Sequence, residues 1–470
     1  MATTVEHRGL ASPATRSGAL VIACTATFIS FLDLALVNLA FTSIAHDFPG
    51  SASTLTWVVN AYGIAFAATL AAAGRVADSV GHKQILLVGV AVFGLASLLC
   101  AIAPSMSWLI TARAIQGVAG AALLPAALGA MLAVVTPQRT AAAVGAWAAT
   151  GALAGAIGPA VGAVLVDWWG WRSAFAVNVP LCALLLVLGL LVLPPSVPRH
   201  DGIPDVFGVV ALAGGIGATV AAITQAHRWG ASSPLTLTLL VAGIISVAAV
   251  LVRSNRHPRP ALHVRLWRHT GFALTNVVSA GLGHGMFAYL LAVPAFLTEV
   301  WQLTLMQAAA CIGAAGTAAM IAAAAAGRHI TAHNARWYAT AGMLWQATGF
   351  ALIATCFDAV ASLGLWAVVA LLLGSGVGVA ITALSVLTAT TVPTRDSAAG
   401  MAMNLTARQV GGVIGIAVSA AMISASDYLS AFHRLFAVLA AVAVISAAGS
   451  LALPALGASA ARPAREDAEP

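Results

Sequence analysis

Asp33 stands in FISFLDLALVNLAF, residues 28 to 41, within an apolar run that extends from about Ala19 to Thr42. Such a run is long enough to cross ~30 Å of hydrocarbon. A carboxylate at the centre of a span costs roughly 2.5 to 3.5 kcal/mol, so one kept there points to function by default. The alternative is a carboxylate that only ties two helices together through a hydrogen bond or ion pair. No other acidic residue falls well inside an apolar run of this chain. The chemistry open to Asp33 is reversible protonation: a carboxyl in oil tends to keep its proton, and an approaching guanidinium makes it let go.

Arg113 is the guanidinium within reach. It lies about five to seven residues from the same end of its own run, against about ten for Asp33, a difference in depth of about 5 to 8 Å at 1.5 Å per residue. An arginine side chain covers that distance. Arg113 shares a face with Gln116 and Gly120, whereas Asn38 lies about 140° around the helix from Asp33 and faces elsewhere. A third titratable group, His284, falls near the middle of a later run on a stripe with Asn276, Ala280 and Phe287. Histidine changes charge near neutral pH, so it could relay a proton or touch a substrate; the plainer reading is a neutral histidine bonded to a neighbouring helix. Trp57 and Asn60 share a face and could form an aromatic, weakly polar binding wall, or Trp57 could be a core or interfacial residue. Asn404, Arg408 and Gly412 share another face, where Arg408 gates or pairs structurally.

The elements that must position these groups are membrane helices. Of 470 residues 61% are hydrophobic and only 7% charged, with a mean hydropathy of +0.97, a composition outside the range of soluble domains. Apolar runs bounded by Gly, Pro and charge start near residues 19, 55, 85, 107, 140, 173, 205, 234, 271, 305, 337, 361, 399 and 433, which predicts fourteen spans. With both termini placed in the cytoplasm, sixteen of the 21 Lys and Arg residues fall inside and three (Arg172, Arg228, Arg434) outside, while Arg113 and Arg408 lie within spans. Losing one span would invert everything downstream and blur that split, so the positive-inside pattern supports the count. The net charge of +7 is dispersed over short loops, which argues for membrane orientation rather than nucleic acid. The five cysteines all sit in apolar runs without metal-ligand spacing. The first run is too long for a signal segment and reads as a retained span.

The expected organisation is an all-α polytopic membrane protein: a cytoplasmic tail over 1–18, a six-helix bundle over 19–193, and two linker helices over 194–252. A basic cytoplasmic linker over 253–270, a second six-helix bundle over 271–455 and a cytoplasmic tail over 456–470 follow. The linker RSNRHPRPALHVRLWRH is either an amphipathic piece on anionic lipid or a plain orientation anchor. The bundles are expected to be pseudo-symmetric, because GRVADSVGHK (Gly74 to Lys83) aligns with GRHITAHNAR (Gly327 to Arg336) at a constant offset of 253 residues. In that alignment Asn334 replaces Gly81, as a left-handed turn position would allow, and Thr331 replaces Asp78. Two related halves point to a transporter with its site near the midplane.

The first copy, with Gly74, Arg75, Asp78, Gly81 and Lys83, reads as a latch loop in which Asp78 meets Arg75 or a neighbouring helix N-terminus and the glycines permit tight turns. The plainer alternative is a basic loop that sets topology. Gly151, Gly155, Gly158 and Gly162 follow spacings of 4, 3 and 4 and form one small-residue face, with Pro159 expected to kink the helix. That face serves ordinary packing or cavity closure.

Five patches carry a family resemblance: L-D-x-x-x-V-N-x-A at Leu32 to Ala40, G-R-x-x-D-x-x-G-H-K at Gly74 to Lys83, R-A-I-Q-G at Arg113 to Gly117, the glycine patch of Gly151 to Gly162, and N-L-T-A-R-Q-V-G-G at Asn404 to Gly412. In order and placement the chain resembles the major facilitator superfamily, specifically its fourteen-span drug/proton antiporters; His82 departs from the arginine commoner there. The resemblance implies a proton-driven exporter of hydrophobic or amphipathic small molecules working by alternating access, with Asp33 and Arg113 in proton coupling and the glycine patch as the antiporter motif. It implies a multi-pass protein of the inner (plasma) membrane, a monomer, energised by the proton gradient and without a cofactor. The last six spans hold no second interior acid, Glu299 lying near an outer end, and this leans towards neutral or monocationic substrates. A dedicated exporter of an endogenous metabolite or lipid-like compound, or an importer, is the alternative. A polytopic enzyme is disfavoured by the lack of clustered carboxylates, a His-rich set or a nucleophile motif, and an ATP-powered pump by the absence of a phosphate loop around the lone Lys83.

Overall fold

The structure, a computed structural model, describes residues 13–48, 57–136, 139–196, 205–261, 264–392, 397–423 and 428–453. The N-terminal residues 1–12, the whole C-terminal tail over 456–470 and part of the basic linker therefore lie outside the described residues. A long helix begins close to every expected position: α1 (Pro13–Asp47), α2 (Trp57–Val80), α3 (His82–Ala101), α4 (Met106–Leu132), α5 (Thr140–Trp169), α6 (Asn178–Val192), α7 (Val206–Trp229), α8 (Pro234–Arg256), α9 (Thr270–Ala295), α10 (Leu305–His329), α11 (Ala335–Cys356), α12 (Leu363–Thr391), α13 (Ser397–Ile423) and α14 (Tyr428–Leu451). Among the described residues there is no strand.

Eleven segments are long and apolar enough to cross a membrane; α5 qualifies only for a shorter stretch, Ala142–Gly155, and α11 and α13 do not qualify. The shortfall on α11 and α13 has a physical cause. These helices bury polar side chains, Thr340 and Gln346 on α11 and Asn404 and Arg408 on α13, against other helices, and each one lowers the hydropathy by which a span is recognised.

Local chemistry sets the helix boundaries. The Ser105 hydroxyl accepts the Trp108 N–H at the start of α4, and Ser233 accepts the Thr236 N–H at the start of α8 with Pro234 behind it. Thr304 and Gln307 form a reciprocal capping box on α10. Between α2 and α3 only Gly81 breaks the helix, at φ +121°, a backbone region that favours glycine. The expected loop is thus mostly helical: Gly74, Arg75 and Asp78 sit in the last turns of α2, and Gly74 makes no turn. Asn334 is likewise not left-handed, its φ being −102°; its side chain accepts the Thr331 N–H and donates to the His329 carbonyl instead.

Packing follows a paired pattern. Helix α5 lies against α10, and α2 against α13, so the fifth helix of the first six meets the second of the last six, and the second meets the fifth. Helix α7 packs on α2 and α13, whereas α8 rests chiefly on α7. With lipid as apolar as leucine, association depends on small residues that let backbones meet. A Cβ built on Gly145 of α5 would come within 2.5 Å of the Gly327 Cα on α10, so only glycine permits that approach. One apolar core joins the two sets of helices at this end, with Met131, Val144 and Trp147 set against Leu384, Leu387, Met401 and Leu405.

Candidate functional site

Asp33 and Arg113 meet. The Arg113 Nη1 donates to Asp33 Oδ2 at 2.6 Å, and both side chains are wholly buried. Asp33 Oδ1 accepts two further hydrogen bonds at 2.8 Å, from Gln116 Nε2 on α4 and Asn178 Nδ2 on α6. Gln116 also donates to Ser97 Oγ on α3 and accepts from Arg113, while the Arg113 Nε donates to the Val58 carbonyl on α2 at 3.1 Å. The guanidinium lies 4.3 Å from the Tyr62 ring centroid, a cation–π contact. Five helices therefore converge on one carboxylate. Asp33 has no solvent exposure, its carboxylate being enclosed by Arg113 and Gln116 of α4 and Asn178 of α6. The depth arithmetic and the shared Arg113 and Gln116 face anticipated the pair. Asn178 and Ser97 were not anticipated, although a polar residue early in an apolar run was the available signal for Asn178.

The latch residues are also placed. Asp78 Oδ2 accepts the Ala399 N–H in the first turn of α13 at 2.7 Å, and Asp78 Oδ1 lies 2.9 Å from His82 Nε2. A buried carboxylate at a helix N-terminus meets both a free N–H and the positive end of the dipole. The Arg75 Nε donates to the Pro260 carbonyl at 3.0 Å. That carbonyl belongs to the basic linker, whose Arg259 carbonyl accepts the Asp205 N–H at 2.9 Å. Asp205 caps α7 and takes a two-pronged bond from Arg253 at the end of α8. The Arg253 side chain first, and the Gly208 N–H after it, hold the Asp205 carboxyl below the usual carboxylate range.

Lys83 belongs to a different contact. Its ammonium donates to the Leu190 carbonyl at 3.1 Å and to the Leu193 carbonyl, which caps the end of α6. Its repeat partner Arg336 donates to the Leu453 carbonyl at the end of α14. In both sets of six helices, then, a basic residue beginning the third helix caps the sixth.

The stripe on α9 is a packing seam rather than an open wall. A Cβ on Gly411, Gly412 or Gly415 of α13 would strike the Ala280 carbonyl, the Phe287 ring or the His284 carbonyl, respectively. Asn276 donates back to the Phe272 carbonyl of its own helix. His284 is buried with Nε2 unpartnered, as are both amide atoms of Gln346 on α11. Asn404 donates to Ser279 Oγ at 2.7 Å and accepts from Arg408 Nη2 at 3.3 Å. Trp57 packs against Trp229 of α7, with ring centroids 6.2 Å apart; Asn60 beside it is half-buried. Gly151 meets Phe31 and Thr27 of α1, Gly155 has no neighbour within 4 Å, and Gly158 and Gly162 are buried. Helix α5 continues through Pro159, whose side chain, like that of Asn38, lies outside the described ones.

One cluster had no forecast at all. At the end opposite the latch, Asp47 of α1 accepts from Trp171 Nε1 at 2.9 Å and Arg172 Nη1 at 2.7 Å, with Arg172 stacked on the Trp171 ring.

Comparison with known proteins supplies the family. The model described as Major Facilitator Superfamily matches residues 23–208. The chain is 31% identical over 402 residues to the multidrug resistance protein Stp of Mycobacterium tuberculosis (strain CDC 1551 / Oshkosh), covering 85% of this chain and 74% of that protein. The chain belongs to the major facilitator superfamily. It is also 33% identical over 418 residues to the puromycin resistance protein pur8 of Streptomyces alboniger, covering 85% and 80% of the two chains. With the tetracenomycin C resistance and export protein of Streptomyces glaucescens it shares 27% identity over 390 residues, 82% and 72% of the two. Among solved structures, the human organic anion transporter MFSD10 superposes with a TM-score of 0.69 over 93% of this chain and 99% of that one; at 15% identity this speaks to the fold alone. This superfamily member is a multi-pass membrane transporter and not an enzyme.

Proposed function

We propose that the chain is a fourteen-span drug/proton antiporter that exports hydrophobic or amphipathic small molecules by alternating access. The fourteen spans are α1 to α14, arranged as two six-helix halves with α7 and α8 between them, in the plasma membrane with both termini cytoplasmic, and the working unit is a monomer. The observation that carries proton coupling is Asp33, a wholly buried carboxylate inside a membrane helix whose charge is balanced by Arg113. Protonating Asp33 would free the guanidinium and loosen the junction of α1, α4 and α6; losing the proton would restore it. The enclosure of Asp33 here is then one end of the cycle, and the proton enters in a conformation where these helices part. Each proton moving inward contributes about 2.3 kcal/mol per 100 mV, before any pH gradient. The latch supports the same scheme, because Asp78 bonded to Ala399 holds the end bearing the α2–α3 break shut. Relatives named for multidrug, puromycin and tetracenomycin C resistance support the substrate class.

The test is uptake into energised everted vesicles, scanned over a compound panel, for the native chain and Asp33→Asn. The expected result is native uptake that collapses with the proton gradient and is absent in the variant, at equal membrane insertion. Undiminished gradient-dependent uptake by Asp33→Asn removes the proposal.

A further inference from the structure

We propose that Arg408 is the binding position for an anionic group of the transported substrate, a carboxylate, phenolate or enolate carried on a hydrophobic body. The inference rests on the transporter reading and names the substrate chemistry of its second half; it replaces the lean towards neutral or monocationic substrates, because the same lack of an interior acid leaves the Arg408 guanidinium without a counter-ion.

Arg408 sits near the middle of α13 and is 6% exposed. It donates from Nη2 to a neutral group, the Asn404 carbonyl oxygen at 3.3 Å, and its Nε has no partner among the described residues. No carboxylate lies within ion-pair distance of it among the described residues. Sequence explains why. Between residues 270 and 453 the acidic residues are Glu299, Asp358, Asp396 and Asp427; of the two described, Glu299 stands in the short helical segment after α9 and Asp358 between α11 and α12. Asp396, nearest in sequence, is twelve residues away.

The contrast with Arg113 is instructive. Arg113 is buried too, but Asp33 neutralises it and Gln116, Val58 and Tyr62 complete its surroundings. A buried guanidinium without an anion is among the costliest groups a membrane protein can hold. Such a group is kept where a partner arrives from outside.

Arg408 is also held in place. Asn404 donates its amide to Ser279 Oγ at 2.7 Å, which fixes the amide so that its oxygen faces the guanidinium. The backbone of Arg408 is pinned as well, since a Cβ on Gly283 would come within 1.9 Å of its carbonyl oxygen. Three residues before it in the chain, Leu405 belongs to the apolar core that joins the two sets of helices at the latch end. Arg408 therefore stands about one helical turn above that seal, at the depth where substrate would rest on a closed floor. A planar guanidinium binds carboxylate with geometric selectivity that a lysine ammonium lacks.

The experiment uses 9-anthracenecarboxylate and its neutral amide, two probes of nearly equal shape. Thermal protection of the purified full-length chain is titrated with each, for the native protein, Arg408→Gln and Arg408→Lys. Native protein is expected to bind the carboxylate at least tenfold more tightly than the amide, Arg408→Gln to lose that preference while keeping the amide affinity, and Arg408→Lys to retain part of it. Equal binding of the two probes by native protein, no binding of either, or an unchanged preference in Arg408→Gln overturns the proposal. If Arg408→Gln elutes as aggregate, Arg408→Lys decides: a folded Lys variant with full native preference also overturns it. A failure of the transporter reading looks different, because it leaves the carboxylate preference intact while no compound is taken up by energised vesicles.

Discussion

Replacing Asp78 by Asn removes one negative charge from the start of α13 and leaves the side chain nearly the same size. The bond to Ala399 N–H is 2.7 Å long and buried. Hydrogen bonds to charged groups contribute about 1.5 to 3 kcal/mol, and a favourable helix-terminus charge contributes about 0.3 to 1 kcal/mol, more when partly buried. An Asn oxygen can still accept the N–H, so the expected loss is the charged part, about 1 to 2 kcal/mol, which shifts the latch equilibrium roughly 5- to 30-fold. Asp78→Ala, which also removes the acceptor, should shift it further. Hydrogen–deuterium exchange of the peptide spanning the first turns of α13 reads this directly: exchange should quicken by that factor in Asp78→Asn and by more in Asp78→Ala. The contact of Gly145 with Gly327 at the same end should loosen in parallel. Exchange at α13 that is unchanged in both variants would refute the reasoning, because the carboxylate would then be holding nothing.

Further expectations follow from the other clusters. Asp33→Leu or Arg113→Met alone strands a buried charge and should cost about 3 to 5 kcal/mol, whereas the double variant should recover most of that stability without recovering transport; thermal unfolding of all four proteins completes the cycle, and additive losses would exclude a mutual pair. The indole N–H of Trp171, and after it the Arg172 guanidinium, hold the Asp47 carboxyl below the usual carboxylate range. Stability from that cluster should be full above the unfolded carboxyl value of about 3.9 and be lost as pH falls through the lower folded value; the acid side of the unfolding profile should flatten in Asp47→Asn. Gly145→Leu drives a side chain into the Gly327 backbone, so α5 and α10 must part: exchange at the end of α10 should rise and efflux fall, and a variant with native exchange would show the approach to be unimportant.

Much of this architecture was legible because membrane helices announce themselves in one dimension. The positions of α1 to α14 follow from apolar runs and their breakers, and the depth of Asp33 against Arg113 follows from the rise per residue. What escaped was whatever needed a third helix or a backbone partner. Asn178 reaches Asp33 across 145 residues with no spacing to reveal it. The partner of Asp78 is the main-chain N–H of Ala399, and any residue but proline carries that group, so sequence offers no sign of it. Lys83 looked like part of the latch and instead caps α6, because a free helix C-terminus attracts a nearby cation whatever motif the cation belongs to. Asn334 looked like a substitute for a left-handed glycine and instead satisfies the local backbone with its own amide. Trp57 and the α9 stripe looked like cavity walls, but exposed and seam-forming faces share one periodicity, and only Trp229 opposite Trp57 and the α13 glycines opposite the stripe tell the two apart.

The central claim is that proton and substrate compete through Asp33. Adding a transported compound to the purified protein in weakly buffered solution, with a pH indicator, tests it without a membrane. The account predicts release of roughly one proton per chain on substrate binding, absent in Asp33→Asn that still binds the compound. Proton release that persists in that variant, or binding by the native chain with no release at any pH, would contradict it.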